Sequence, residues 1–371
     1  MATFDDLQVR RPELAKSYLA LIDAQPGRPL AMFAPRRIGK TYFLDNDLAP
    51  AAAKHHLLPV YADLWNHKAN PLEAINHALE EALDDINVPK SRAGRLGKTP
   101  IRKIGLIGAS VDLGDAPARR ALPTAPQLRL DALVVRLANA AQKAVLLMLD
   151  EVQTLGDAEG GDSTIAALRA VLHKRRDILK SVFTGSSQEG LARMLSTAGA
   201  PMYQFAQLLD FPALGDEYLE LLVGHFSSIH PGKALALEDL RRLYVRIGHK
   251  PGLLKDIVKG MSAEGLTDID VGIKQFLVTQ ATIWNALLQP LDSFDRTVLA
   301  IIARGLPPLG RETLDTITKL NAGKVATVAK VRAAIDRLLR HGLVNRIANG
   351  PVVVDDPLLA EYLRAQQTLA S

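Results

Sequence analysis

The chain has 371 residues, of which 48% are hydrophobic and 23% are charged, the balance of a globular protein with a sizeable core. It contains no cysteine, which excludes disulfides, thiol nucleophiles and cysteine metal sites and fits a reducing compartment. Its first residues do not resemble a signal peptide, and no run reaches the roughly 18 apolar residues of a membrane span, so we expect a cytoplasmic protein without a membrane partner.

The chain is basic, with a net charge of +5 and an isoelectric point near 9.3. This charge modestly favours a polyanionic partner such as nucleic acid. The length exceeds what one hydrophobic core usually organises, and the patterns along the chain predict three domains. They are an α/β core at 1–211, a helical lid at 212–288 and a winged-helix domain at 289–371.

Strands and helices alternate in the first part of the chain. Such alternation predicts an α/β fold in which helices cover a parallel sheet on both sides. Apolar runs predict strands at 29–33, 57–64, 144–149 and 181–184, and helical spacing predicts helices after residue 41 and at 71–86, 128–140 and 163–176.

The second part of the chain is helical, and its end has a different rhythm. Three helices followed by two short strands around the turn at 348–350 are typical of a winged helix. The predicted lid helices are 216–228, 237–247, 251–263 and 268–286, and those of the winged helix are 293–303, 311–320 and 326–341.

A phosphate-binding motif follows the first predicted strand. Residues 34–41 read APRRIGKT, the Walker A pattern G-x-x-x-x-G-K-[ST] with Ala34 at its first glycine. Backbone N–H groups and the helix N-terminus would hold the phosphates, Lys40 would neutralise their charge, and the Thr41 hydroxyl would bind Mg²⁺. A β-carbon at Ala34 would be strained in a left-handed backbone. The predicted ATP/ADP contacts are Pro35, Arg36, Arg37, Ile38, Gly39, Lys40, Thr41 and Tyr42.

A second motif supports the first. The aliphatic run at 145–149 ends in Asp150 and Glu151, as a Walker B strand does. Asp150 would hold Mg²⁺, and Glu151 would orient and activate the attacking water. We therefore assign catalytic roles to Lys40 and Glu151.

Together these motifs resemble the archaeal-type ATPases of the AAA+/STAND group of P-loop proteins with a C-terminal winged helix. The resemblance covers nearly the whole chain and implies a nucleotide contact for Arg10, in the segment RRPEL at 10–14. It implies a catalytic sensor role for Thr184 in TGSS at 184–187, with Ser186 as a second hydroxyl that could report the γ-phosphate. It also implies that Pro251, in GHKP at 248–251, packs near the nucleotide.

One expected residue of this family is missing. The family has an arginine after its proline-tyrosine segment, but Gln204 and Phe205 follow Tyr203 here. No arginine finger is carried over to that position. Sequence position alone leaves Arg175, Arg176 and Arg193 as candidates, and hydrolysis is expected to be slow or to depend on a partner.

Two groups of basic residues are candidate DNA contacts. The first is a strip without acidic residues, here named the basic strip: Lys90, Arg92, Arg95, Lys98, Arg102 and Lys103. The second is on the third winged-helix helix: Lys330, Arg332, Arg337 and Arg340. A solvated loop explains the strip equally well, and many winged helices bind protein.

These observations leave two hypotheses open. The first is an ATPase that acts as a nucleotide-driven switch or motor, with DNA as its candidate partner. The second is a regulatory nucleotide-binding protein that hydrolyses slowly and binds a protein partner, which includes a second copy of the chain.

Overall fold

The computed structural model describes residues 3–87, 121–157, 161–186, 194–195, 200, 202–321, 323–346 and 350–368. Its first part is built on five parallel strands: β1 (Leu30–Phe33), β2 (Leu57–Asp63), β3 (Ala144–Asp150), β4 (Leu179–Gly185) and β5 (Gln207–Asp210). They lie in the order β2-β3-β4-β1-β5.

Helices cover both faces of this sheet, and an apolar cluster lies on each side. This burial explains why β3 is an unbroken aliphatic run. The α/β fold with a parallel sheet is therefore confirmed. The α-helices around the sheet are Pro12–Ala24, Lys40–Phe43, Ala49–Lys54, Pro71–Asn87, Pro126–Ala141, Thr154–Asp157 and Gly161–Lys174.

Strand β5, the helix Pro12–Ala24 and a π-helical turn are among the elements of this part that were not predicted. Strand β5 has four residues at the sheet edge, and its side chains alternate between half-buried and exposed, so it lacks the aliphatic run of a central strand. The helix Pro12–Ala24 precedes the sheet and packs against it. The helix after the P-loop contains a π-helical turn at Leu44–Leu48, a feature frequent at functional sites.

The second part is helical, as predicted, and ends in a winged helix. Its helices are Asp216–Ile229, Leu237–Arg246, Pro251–Glu264 and Ile269–Leu288, followed by Ser293–Ala303, Arg311–Leu320 and Val328–Arg340. An antiparallel hairpin of Val344–Arg346 and Val352–Val354, here named the wing hairpin, precedes an unpredicted final helix, Pro357–Thr368.

One continuous apolar cluster joins the helical segment to the winged helix. Phe226 and Leu254 from the first belong to the same cluster as Leu299 and Leu338 from the second. These two parts therefore pack as one unit, whereas separate clusters lie on the sheet. No helix among the described residues is long and apolar enough to cross a membrane.

Candidate functional site

The P-loop continues directly from β1. The Ala34 amide donates to the Gly185 carbonyl at 3.3 Å, which extends the pairing between β1 and β4 by one residue. Ala34 does not have a positive φ; the left-handed residues of the loop are Arg37, with φ 64°, and Gly39, with φ 97°. The strain expected for alanine at the first motif position is therefore absent, because that residue is still extended.

Lys40 begins the helix after the loop, and its side chain is turned inward. Nζ donates to the carbonyl oxygens of Ala34 at 2.6 Å and Pro35 at 3.0 Å, and the residue is only 6% exposed. Burial lowers the pKa of this ammonium, while the charges of Glu151 and Asp150 oppose that effect. Lys40 is thus a buried cation whose two carbonyl partners a phosphate can replace.

Asp150, at the end of β3, joins the two motifs. Its Oδ2 accepts from Thr41 Oγ1 at 2.6 Å and from the Tyr61 hydroxyl at 3.1 Å. Its Oδ1 accepts from Thr184 Oγ1. The hydroxyl predicted to read a γ-phosphate is therefore bonded to the predicted metal ligand, and Thr184 is fully buried.

The pair formed by Thr41 and Asp150 fits a magnesium ion. A hydroxyl and a carboxylate are hard oxygen donors, and Mg²⁺ usually takes one or two protein ligands with phosphate and water completing the shell. No cluster of three or more metal-ligating side chains occurs in the part of the chain that the structure describes.

Glu151 follows in a left-handed conformation, with φ 57°. Its Oε2 accepts from Ser186 Oγ at 2.6 Å, from the Ser186 amide at 3.3 Å, and from the Gln153 amide group. These partners hold the carboxylate at the end of β4. Of the two hydroxyls at that strand end, Ser186 contacts the candidate base and Thr184 does not.

These residues line an open cleft of about 740 Å³, whose walls include Lys40, Thr41, Asp150 and Glu151. A smaller pocket of about 180 Å³ adjoins it and is mostly apolar. The two share Gly39, Tyr42, Pro251, Gly252 and Lys255. A charged cleft beside an apolar pocket suits a nucleotide, with phosphates in the first and the base in the second.

The structure changes which arginine faces the apolar pocket. Arg10 Nε bonds Asp47 Oδ1 at 2.7 Å, and Arg10 does not line the pocket. Arg11 does line it, with its guanidinium 4.7 Å from the centre of the Phe211 ring. The pocket wall also includes Ile38 and Pro251.

The candidate arginine fingers have other positions. Arg175 Nε and Nη2 bond the two oxygens of Asp131 at 2.6 and 3.0 Å. Arg175 and Arg176 come just before the start of β4. The P-loop follows the end of β1, which is parallel to β4, so these arginines and the P-loop lie at opposite ends of the strands. Neither one therefore reaches the site of its own chain. Arg193 lies outside the described residues.

Of the two groups of candidate DNA contacts, the structure describes only the one in the winged helix. The basic strip lies outside the described residues. Arg337, one of the candidate DNA contacts, is paired with an acid: its Nε donates to Asp295 Oδ2 at 2.8 Å, and Asp295 is buried. A helix spacing pattern does not reveal this partner, which is on another helix. Lys330, Arg332 and Arg340 are exposed.

Sequence reasoning missed several contacts of the site. Tyr61 is on β2 and reaches Asp150 because β2 pairs with β3 in parallel register. Gln153 follows the Walker B acids by two residues and bonds Glu151. The only sequence signal for either was a polar group near a predicted strand end.

Comparison with known proteins shows the fold. No family model matches the chain, and no curated protein matches it. A Walker-type ATPase of Pyrococcus abyssi is similar in structure, with a TM-score of 0.61, 16% identity, and 97% of each chain covered. The ORC2 protein of Aeropyrum pernix is similar in its ADP form, with a TM-score of 0.51, 17% identity, and 98% of this chain and 96% of that one covered. Its ADPNP-ADP complexes give a TM-score of 0.52 at the same identity and coverage.

These likenesses span the sheet, the helical segment and the winged helix. This chain therefore shares the P-loop ATPase fold of these proteins, with a parallel sheet, a helical segment and a C-terminal winged helix.

Proposed function

We propose that this protein binds and hydrolyses ATP and acts as a nucleotide-driven switch. The observation that carries the proposal is the hydrogen bond of Thr41 to Asp150, beside Lys40 and Glu151 in one open cleft. Lys40 and Thr41 begin the helix that follows β1 and the P-loop, whereas Asp150 and Glu151 lie at the end of β3. Their chemistry is that of phosphate binding, metal binding and water activation.

The proposed roles follow from the contacts. Lys40 exchanges its bonds to the Ala34 and Pro35 carbonyls for phosphate oxygens, and Gly39 at the helix N-terminus directs its amide toward them. Thr41 and Asp150 hold the metal. A bound Mg²⁺ would neutralise charge on the phosphate oxygens.

Glu151 is the proposed base. The water oxygen bonds to the γ-phosphorus while the bond from that phosphorus to the β–γ bridging oxygen breaks. The bonding electrons stay with ADP, and Glu151 accepts the water proton. Ser186 holds the Glu151 carboxylate in place through the 2.6 Å hydrogen bond.

The lid completes the site at Pro251. This residue begins the helix Pro251–Glu264 and lines both the cleft and the apolar pocket. A nucleotide in both compartments would bridge the sheet and the helical segment. We propose that it closes the lid at 212–288 on the core at 1–211 and moves the winged helix at 289–371 with the lid, since these two parts share one apolar cluster.

We propose duplex DNA as the partner of the winged helix. Lys330, Arg332 and Arg340 are exposed on the helix Val328–Arg340, and Val325 and Val328 are exposed at its start. Cations that contact phosphates beside small apolar side chains suit a major groove.

A protein partner is the second candidate function. The helix Ile269–Leu288 exposes Val278 at 75%, Ile283 at 58% and Leu287 at 46%. Exposed apolar side chains on one helix are frequent at protein interfaces. In this alternative, hydrolysis is slow and ATP or ADP determines whether the partner binds.

An ATPase assay with and without duplex and single-stranded DNA, alongside a mass measurement with nucleotide, tests the proposal. Turnover that DNA stimulates supports the DNA-linked switch. Bound ADP with turnover that neither DNA form changes supports the protein-binding alternative. A parent chain that neither binds nor hydrolyses ATP contradicts both.

A further inference from the structure

Arg36 occupies a junction between three parts of the protein. Its guanidinium lies 4.2 Å from the centre of the Trp65 ring, and its Nε is 3.5 Å from Ser186 Oγ. On the winged-helix side it lies against Gly342, the left-handed residue just before the wing hairpin. A methyl group added to Gly342 would be 3.0 Å from Arg36 Nη1.

The hold on this guanidinium is weak. No carboxylate among the described residues forms an ion pair with Arg36. Its main contact is an aromatic face, worth about 0.5 to 2 kcal/mol for a cation. The Lys68 ammonium lies 3.0 Å from the same ring centre, so two cations share one ring and repel each other. An anion at this junction would attract Arg36 away from Trp65.

Under the proposed function, the phosphates of the nucleotide would bring such an anion into the cleft. Arg36 lines it together with Lys40 and Glu151. Ser186, the hydroxyl 3.5 Å from Arg36, is the same residue that holds Glu151. A guanidinium presents a planar fork of donors that matches phosphate oxygens, and it stays protonated throughout.

We propose that Arg36 reads the γ-phosphate from within its own P-loop, leaving Trp65 and Gly342 when ATP binds and returning to them with ADP. The proposal rests on the proposed ATPase function and assigns to Arg36 the charge-neutralising task that an arginine finger has in related enzymes. During hydrolysis the guanidinium neutralises charge on the γ-oxygens as the bond to the bridging oxygen breaks, and Glu151 receives the water proton. ADP lacks the γ-phosphate, so it does not draw Arg36 away.

This movement would carry nucleotide state to the winged helix. Two other contacts lie at the wing hairpin: Asn345 Nδ2 donates to the Ser186 carbonyl at 3.4 Å, and Lys250, in the helical segment, bonds the carbonyl of Asp355, the residue that follows the hairpin. Neither contact uses a residue of the P-loop. Arg36 is therefore the P-loop member of this group of contacts, and ATP binding would remove one of the hairpin's supports.

The first test compares the affinities for ADP and for a non-hydrolysable ATP analogue. Arg36→Ala should keep ADP affinity within about threefold and lose at least about tenfold for the analogue, since the lost bond to phosphate is charge-assisted. Turnover should fall about 100-fold or more, because fingers contribute at least that much. Arg36→Lys should restore part of the analogue affinity and less of the turnover, because lysine lacks the fork.

The second test acts from the winged-helix side. Gly342→Ala places a methyl group against Arg36 and should raise the ratio of analogue to ADP affinity. Gly305→Ala is the matched control: Gly305 also has a left-handed φ, of 72°, but an added methyl group meets nothing within 4 Å. Gly305→Ala should introduce the same kind of backbone strain but leave the ratio of analogue affinity to ADP affinity unchanged.

Amide hydrogen exchange at Val344–Arg346 measures how firmly the wing hairpin is held in place. The analogue should speed exchange there in the parent chain and should not in Arg36→Ala.

Unchanged affinities and turnover in Arg36→Ala, or equal losses for ADP and the analogue, would overturn the role of Arg36 while leaving the ATPase proposal intact. A parent chain that binds neither nucleotide would overturn the ATPase proposal itself.

Discussion

Thr41 Oγ1 donates a 2.6 Å hydrogen bond to Asp150 Oδ2, across 109 residues of chain. The contact exists because β1 and β3 are parallel strands on either side of β4, so their carboxyl ends meet at one sheet edge. Both oxygens are of the kind that magnesium favours as ligands. The two sequence motifs therefore belong to a single site.

Glu151→Gln should retain ATP and lose turnover. The amide oxygen can still accept from Ser186, but the side chain no longer takes a proton from water. We expect turnover to fall about 100-fold or more, the range of general-base contributions, with little change in ATP affinity. A turnover assay beside equilibrium ATP binding checks this. Equal loss of both quantities would show that Glu151 is a binding residue.

Arg337→Ala should destabilise the winged helix. It leaves the Asp295 carboxylate, whose side chain is 5% exposed, without its partner, at a cost of about 2 kcal/mol in the free energy of unfolding. Arg340→Ala, at an exposed position, should change stability by less than about 0.5 kcal/mol. Denaturant unfolding of both variants measures the difference, and equal stabilities would contradict the structural role of Arg337.

DNA binding should show the opposite order for these two arginines. Arg340→Ala should weaken duplex affinity and lower the slope of log affinity against log salt. The variant contacts one phosphate fewer, so its binding releases fewer counterions. Arg337→Ala should leave the slope near the parent's in the folded protein. A larger slope change in Arg337→Ala than in Arg340→Ala would contradict this assignment.

Asp131→Asn should destabilise the protein in a pH-dependent way. The hydrogen bond from Arg175 lowers the pKa of Asp131 from 3.8 to about 2. The stabilisation is therefore complete above pH 3.8 and is lost as pH falls toward about 2, where Asp131 gains a proton in the folded state. The variant should be less stable by about 2 kcal/mol at pH 7, with a smaller difference near pH 3. Parallel unfolding curves with the same difference at every pH would contradict the ion pair.

The basic strip gives a prediction from sequence alone. Changing Arg92, Arg95 and Lys98 together to Ala should flatten the slope of log affinity against log salt for duplex DNA, by about 0.9 per lost contact. Stability should change little. A triple variant with the parent's affinity and slope would make the strip an ordinary solvated loop.

The parts predicted from sequence are those with local patterns. β3 and the helix Pro251–Glu264 match their predicted bounds within a residue or so, because burial on both faces and a proline start leave local signals. β5 was missed because a four-residue edge strand is defined mainly by its pairing with β1.

In the site, too, only residues that belong to a local sequence motif could be predicted. Thr41 and Asp150 were placed together because each belongs to a motif with known chemistry. The partners of Glu151 and Arg337 were not foreseen, since Ser186 and Asp295 reach them through tertiary packing. The motif also does not show that Lys40 is buried against two carbonyls, because this burial depends on the folded loop.

Equilibrium binding of ATP by the parent chain and by Lys40→Ala tests the central claim most directly. The ammonium is the P-loop cation whose bonds to Ala34 and Pro35 a phosphate would replace. We expect the parent to bind ATP with magnesium and a folded Lys40→Ala to lose that binding, with circular dichroism confirming the fold. Undiminished ATP affinity in a folded Lys40→Ala protein would contradict the account.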